Sequence, residues 1–312
     1  MAGPRALLIA NRHSRTGSSD LSAARQVLAE HGLEVVERQC AHSDDVTEAI
    51  RRECGAVDLV ILAGGDGTMN SGVDALVECK LPLGILPTGT ANDLARTLEI
   101  PTDLAAAAAV IGAGRRHAID LGCVNGKYFF NAASIGLSAE VTRHHTKERK
   151  RRYRVFAYVL SLRDAWHHTR PFRARLRCDG RSVRLRAIQV TVGNGRHYGG
   201  GMTVSENAAI DDGWLDVYCL RPGSFWGLLA LFPALRLGRL RHRESVRVMR
   251  GRTIEVSTRR RLPVNTDGDL TTYTPAEFKV VPGALEVFVP ASYQGARKAD
   301  DAVAERAADR VA

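Results

Sequence analysis

The chain has 312 residues, 45% of them hydrophobic and 25% charged, so it is long enough for two domains with separate cores and too evenly mixed for a fibrous or wholly disordered protein. No stretch reaches the roughly 18 apolar residues of a membrane-spanning helix, and Leu7–Ala10 is too short for the core of a signal peptide. A net charge of +10 calls for an anionic partner (nucleotide, nucleic acid or acidic membrane surface) without choosing among them.

In chain order, the apolar run Ala6 to Ala10 ends in the polar loop Asn11-Arg12-His13-Ser14-Arg15-Thr16-Gly17, before a helix capped near Asp20 and stopped near Gly32. Glu34 to Cys40 reads as a second strand, Ser43 to Ile50 as a helix, Asp58 to Ala63 as a third strand and Leu83 to Leu86 as a fourth. This alternation predicts a doubly wound parallel sheet, whose ligands sit at the carboxyl ends of its strands.

The third strand feeds Ala63-Gly64-Gly65-Asp66-Gly67-Thr68-Met69-Asn70, a glycine turn that opens a helix. Such a turn can hold phosphate, because glycine lets the backbone approach a ligand and the helix N-terminus faces the anion. A carboxylate there repels phosphate, so Asp66 is expected to act through Mg²⁺ or to orient the groups that do. The bland alternative is an ordinary turn with Asp66 as a helix cap. The fourth strand runs into Pro87-Thr88-Gly89-Thr90-Ala91-Asn92-Asp93, where Thr90 and Asn92 offer donors beside the first loop and can also cap the next helix. An alanine-rich helix covers Asp103 to Ile111.

From about Arg116 the pattern turns to antiparallel β. Val124-Asn125-Gly126-Lys127 and Cys178-Asp179-Gly180-Arg181 are type I′ hairpin signals. Further strands are expected at Leu215 to Leu220, Ser245 to Met249, Thr253 to Ser257, Phe278 to Val281 and Leu285 to Val289. The expected layout is a nucleotide-binding α/β domain over 1–118, a β-sandwich-like substrate domain over 119–291, and a tail over 292–312 that can dock on the first domain. Two insertions, the basic run 143–154 and the apolar-then-basic run 224–240, have the chemistry of an anionic bilayer surface and equally that of core helices with solvated charge. The six cysteines are spaced singly and read as reduced thiols of a cytosolic protein.

The second domain carries Val192-Gly193-Asn194-Gly195, then Ala209-Ile210-Asp211-Asp212-Gly213-Trp214, in which one of two adjacent carboxylates can bind a cation, then Asn265-Thr266-Asp267-Gly268-Asp269. Gly64-Gly65-Asp66-Gly67-Thr68, Pro87 to Asp93, Asp211-Asp212-Gly213 and Asp267-Gly268-Asp269, in this order over roughly residues 5 to 291, resemble the diacylglycerol kinase catalytic-domain superfamily, which includes bacterial diacylglycerol kinases, YegS-like lipid kinases and sphingosine and ceramide kinases. The resemblance implies phosphorylation of a lipid hydroxyl by ATP with Mg²⁺, in a cleft between the two domains. It assigns nucleotide binding to Gly64, Gly65, Asp66, Gly67, Thr68 and Asn70, to Thr90 and Asn92, to Asn11 and Gly17, and to Cys40 in place of a family threonine. Mg²⁺ would use Asp212 with main-chain oxygens of Ala209 and Trp214. Asp269 would be the general base, one methylene shorter than the family's usual glutamate, facing Asp66 across the cleft. The expected partner is a lipid in an anionic membrane, met peripherally from the cytoplasm, with no nucleic acid; similar bacterial kinases admit a homodimer.

The rival enzyme is an NAD kinase, which shares the glycine turn but grips NAD with an Asn-Glu pair not found here. A nucleotide-responsive membrane-binding protein without catalysis is the rival of another class, and Asp66, Asp212 and Asp269 together speak against it. Charge alone suggests nucleic acid, but the basic run lacks interleaved aromatic residues apart from Tyr153.

Overall fold

The computed structural model describes residues 3–11, 18–40, 42–137, 169–198, 202–203, 208–223, 227 and 245–296. The loop 12–17, the basic run 143–154, all of 224–240 except Gly227, and the tail from 297 lie outside the described residues.

The α/β elements are β1 (Arg5–Asn11), α1 (Ser18–Glu30), β2 (Glu34–Cys40), α2 (Ser43–Glu53), β3 (Leu59–Gly64), α3 (Asp66–Cys79), β4 (Leu83–Pro87), α4 (Asp93–Thr97) and α5 (Leu104–Gly112). Strands follow as β5 (Arg116–Val124), β6 (Lys127–Phe129), β7 (Ala132–Gly136), β8 (Phe172–Cys178), β9 (Arg181–Ala187), β10 (Gln189–Gly193), β11 (His197–Tyr198), β12 (Met202–Thr203) and β13 (Leu215–Leu220). The last are β14 (Val246–Gly251), β15 (Thr253–Thr258), β16 (Pro263–Thr266), β17 (Asp269–Tyr273) and β18 (Ala276–Phe288).

Two compact units result. The first holds the chain to Leu121, Ala209–Asp212 and the chain from Val281; the second holds Gly122–Ala208 and Gly213–Val280. The first is thus discontinuous, and it takes up two segments that the sequence reading assigns to the second domain. Its parallel sheet runs β2-β1-β3-β4 and then the end of β18, where Val287 pairs with Leu83. Leu7, Leu8, Ile9, Val60, Ile61 and Leu62 are fully buried, which is why β1 and β3 read as unbroken apolar runs. Helix α1 packs against α5 and α2 against α3. Asp103 caps α5 by accepting a hydrogen bond from the Ala106 amide at 2.8 Å.

The packing of α2 on α3 corrects one expectation. Cys54, just past α2, and Cys79, at the end of α3, form a disulfide with Cα atoms 5.7 Å apart, so not all six cysteines are reduced thiols. The other four, Cys40, Cys123, Cys178 and Cys219, are buried and form no disulfide.

The second unit has two antiparallel sheets. One runs from the start of β18 through β15 and β8 to β9, and the other runs β14-β13-β10-β7-β16-β17. Both contribute to one core that includes Leu176, Val190, Val217, Val256 and Phe278. Along β8 the alternation is strict: Phe172, Ala174, Leu176 and Cys178 are buried while Arg173, Arg175 and Arg177 are exposed. Both hairpin signals hold, with positive φ at Asn125 (49°), Gly126 (83°), Asp179 (43°) and Gly180 (84°) as a type I′ turn requires. Strand β18 differs from expectation: the sequence suggests two strands broken at Pro282-Gly283, and the structure has one, whose first part pairs with β15 and whose end pairs with β4.

Candidate active site

The parallel register brings three expected ligand positions, Asn11, Cys40 and Gly64, and the start of the second loop at Pro87 to the carboxyl edge of the first unit's sheet. Asn11 pairs with Cys40, and Gly64 with Pro87. Cys40 is buried, and burial, helped by the charge of Asp45, raises its thiol pKa, so it stands there as a neutral group. Gly17 lies outside the described residues, and nothing further is described of Asn11 beyond its place as the last residue of β1.

Gly64 closes β3, Gly65 is the N-cap of α3, and Asp66 begins the helix. The Thr88 amide donates to the Gly64 carbonyl at 3.0 Å, tying the second loop to the first. The loops touch backbone to backbone, since a Cβ on Gly89 would lie 2.5 Å from the Gly65 Cα. Gly64 is equally constrained, because a Cβ there would meet the Thr68 hydroxyl oxygen at 2.3 Å. Gly67 is different: it is exposed, and a Cβ on it would meet none of the described residues within 4 Å. Its side of the turn is open to a ligand, at the positive end of a 14-residue helix.

Asn92 and Asp66 hold the second loop in shape. The Asn92 side chain accepts from the Gly89 amide at 3.0 Å and donates to the Gly89 carbonyl at 3.1 Å, while its backbone sits at φ 50°. Asp66 accepts from the Leu94 amide at 3.1 Å through Oδ1, so it caps the start of α4 rather than its own helix. It therefore orients the loop that carries Thr90, which is exposed. Thr68 is turned inward and buried, and the oxygens Asn70 Oδ1 and Thr88 Oγ1 are buried with no hydrogen-bond partner among the described residues. Buried polar atoms of this kind call for a partner.

The two adjacent aspartates have separate tasks. Asp211 Oδ2 accepts from the Ala296 amide at 3.0 Å and lies 2.7 Å from His117 Nε2, which anchors the turn in the first unit. Asp212 Oδ2 accepts from the Ala209 amide at 3.1 Å. The Asp212 carboxylate is an oxygen ligand of the type Mg²⁺ takes; among the described residues no group of three or more His, Cys, Asp or Glu could hold a metal by itself. Trp214, in the second unit, carries the guanidinium groups of Arg250 and Arg252 at 5.7 and 4.8 Å from its ring.

In the second unit the turn between β16 and β17 has Asp267 at φ 49° and Gly268 at φ 104°. Asp267 accepts from the amides of Phe130 (2.7 Å), Asn131 (3.0 Å) and Ala132 (3.0 Å), while its own amide donates to the Ala132 carbonyl. Asn131 also takes the amides of Asn194 and Gly195 on its carbonyl, and Asn194 Nδ2 donates to the Phe130 carbonyl. Asp269 follows as the exposed first residue of β17. Sequence reasoning names Asp269 and misses Asp267, Asn131 and Asn194 as the residues that fix its turn. The signal was available in Asn194 between two glycines and in Asp267, quoted only as part of a motif.

Comparison with known proteins covers both halves of the chain. The family model for the diacylglycerol kinase catalytic domain matches residues 5–124, and that for the YegS C-terminal NAD kinase beta sandwich-like domain matches residues 131–289. The chain belongs to the diacylglycerol kinase and YegS-like lipid kinase family. It is 33% identical to a protein named "Probable lipid kinase YegS-like" from Pseudomonas aeruginosa, over 91% of this chain and 94% of that one. It is 32% identical to a diacylglycerol kinase of Mycobacterium tuberculosis, over 84% and 87%. A crystal structure of a candidate diacylglycerol kinase from Bacillus anthracis superposes with a TM-score of 0.80 at 27% identity, over 94% of this chain and 99% of that one. Membership of this kinase family makes the protein a phosphotransferase by descent, and the NAD kinase likeness in the second model's name is one of fold.

Proposed function

We propose that this protein transfers the terminal phosphoryl group of ATP to a hydroxyl of a membrane lipid, diacylglycerol or a related acceptor. The observation that carries the reading is the pair of loops held together at Gly65 and Gly89, with Gly67 open beside a helix N-terminus and Asp66 spent on shaping the second loop. Phosphoryl transfer asks a protein mainly to hold phosphates and to orient the attacking oxygen. Gly64 to Asn70, with Thr90, would hold the nucleotide.

Asp269 would accept the hydroxyl proton as the lipid oxygen bonds to the γ-phosphorus and the bond to ADP breaks. The three amides on Asp267 support this role, because they leave the turn before Asp269 little freedom. Asp212, with main-chain oxygens of Ala209 and Trp214, would hold Mg²⁺, which when bound offsets phosphate charge. Among the described residues no helix is long and apolar enough to cross a membrane, and we place the work at the inner membrane face, peripherally bound.

Asp269→Asn tests the assignment. The variant should bind a non-hydrolysable ATP analogue as the parent does and lose on the order of 10²–10⁴ in turnover. Full turnover would remove Asp269 from the mechanism.

A further inference from the structure

The outer face of the second unit's β8, β9 and β15 has no place in the chemistry above. A groove of about 540 Å³ lies there, lined by Arg173, Arg175, Arg184, Arg186 and Arg259, with Ala174, Leu185, Ser257 and Thr258 between them. Antiparallel pairing sets Arg173 opposite Arg186 and Arg175 opposite Arg184. Like charges directly opposite each other destabilise a sheet. Among the described residues no carboxylate pairs with any of the five; the nearest such pair along β8 is Arg177 with Glu255, at 3.5 Å. Folding alone gives no reason to gather these charges.

The groove adjoins an exposed apolar edge. Thr258, which lines it, lies 2.5 Å hydroxyl to hydroxyl from Thr274. The neighbour of Thr274 is Tyr273, 47% exposed and stacked under Arg261 at 5.4 Å. Leu270, 43% exposed, stands on the same strand, immediately after Asp269. Guanidinium groups match phosphate in geometry as well as charge, and arginines beside exposed apolar side chains suit a headgroup layer. Among the described residues no aromatic ring lines the groove, so they offer no stacking platform of the kind a single-strand nucleic-acid site uses.

We infer that this arginine face, with Tyr273 and Leu270 at its edge, is the surface by which the protein docks on an anionic phospholipid bilayer. The choice of a bilayer rests on the lipid-kinase reading; the surface itself rests on the residues named. Docking there would bring the start of β17, with Asp269, toward the headgroups.

The test is co-sedimentation with phosphatidylcholine vesicles, with or without phosphatidylglycerol, for the parent and for the double variants Arg184→Gln/Arg186→Gln and Arg173→Gln/Arg175→Gln. The parent should prefer the anionic vesicles, and each double variant should lose about 25-fold in partitioning, about fivefold per arginine. Neither variant should melt lower than the parent, since each removes like-charge pairs. In uncharged detergent micelles both should phosphorylate lipid at the parent's rate; if the parent itself has no activity there, the kinase reading fails while the vesicle result still judges the surface. Parent-like partitioning of both folded variants would overturn the inference, as would a duplex oligonucleotide that displaces the protein from vesicles and needs the same arginines.

Discussion

Gly89 stands so close to Gly65 that a Cβ on it would lie 2.5 Å from the Gly65 Cα. The contact joins two loops that are 24 residues apart in sequence (89 − 65) and makes them one wall. Gly67, in the first of those loops, has free space where its Cβ would be.

The two glycines should therefore fail differently. Gly89→Ala must part the loops, at about 1–3 kcal/mol, which lowers the melting temperature by several degrees. Gly67→Ala should melt with the parent and bind an ATP analogue at least about tenfold more weakly, because the added methyl stands where a ligand, not protein, would be. Thermal unfolding and calorimetric titration of both variants check this.

Asp267→Asn isolates the value of a carboxylate that receives three backbone amides. Asparagine tolerates the left-handed backbone at this position, so the turn itself is not penalised. The amide can face only part of the donor set, and the unmet remainder should cost about 1–3 kcal/mol in denaturant unfolding. Turnover should fall with it while ATP-analogue binding stays.

Alkaline stability should report two buried neutral groups. Burial pushes the Cys219 thiol from its ordinary value near 9.0 to about 12, with Arg247 pulling slightly the other way. Burial first, then the charges of Asp211 and Glu99, also raises the Tyr293 hydroxyl. Both folded values are raised, so the stability they confer is full below the unfolded pKa values and is lost as pH climbs above 9. Melting temperatures taken from pH 8 to 11 should fall, and Cys219→Ala should flatten that fall even though it starts lower.

The parallel half was legible because its central strands are buried on both faces: β3 and the core of β1 appear in the sequence as unbroken apolar segments, and Gly64 to Asp66 as the punctuation between strand and helix. The hairpins at Asn125-Gly126 and Asp179-Gly180 were legible because few residues accept positive φ. Strands β7, β16 and β17 were not, since Asn131, Asn265 and Asp269 make them look like loops; their polarity serves the turn network that Asp267 ties together. The joining of Cys54 to Cys79 depends on how α2 packs on α3, which no local spacing encodes. Pro282-Gly283 looks like a strand break, yet the Gly283 amide is taken by Asp120 at 2.8 Å and the strand continues.

The most direct measurement of the central claim is transfer of labelled phosphate from ATP and Mg²⁺ to a panel of lipids in mixed micelles, with NAD included as an acceptor and Asp269→Asn as control. The account predicts label in one lipid class, absent with the variant. Label in NAD alone, or in no acceptor, would contradict it.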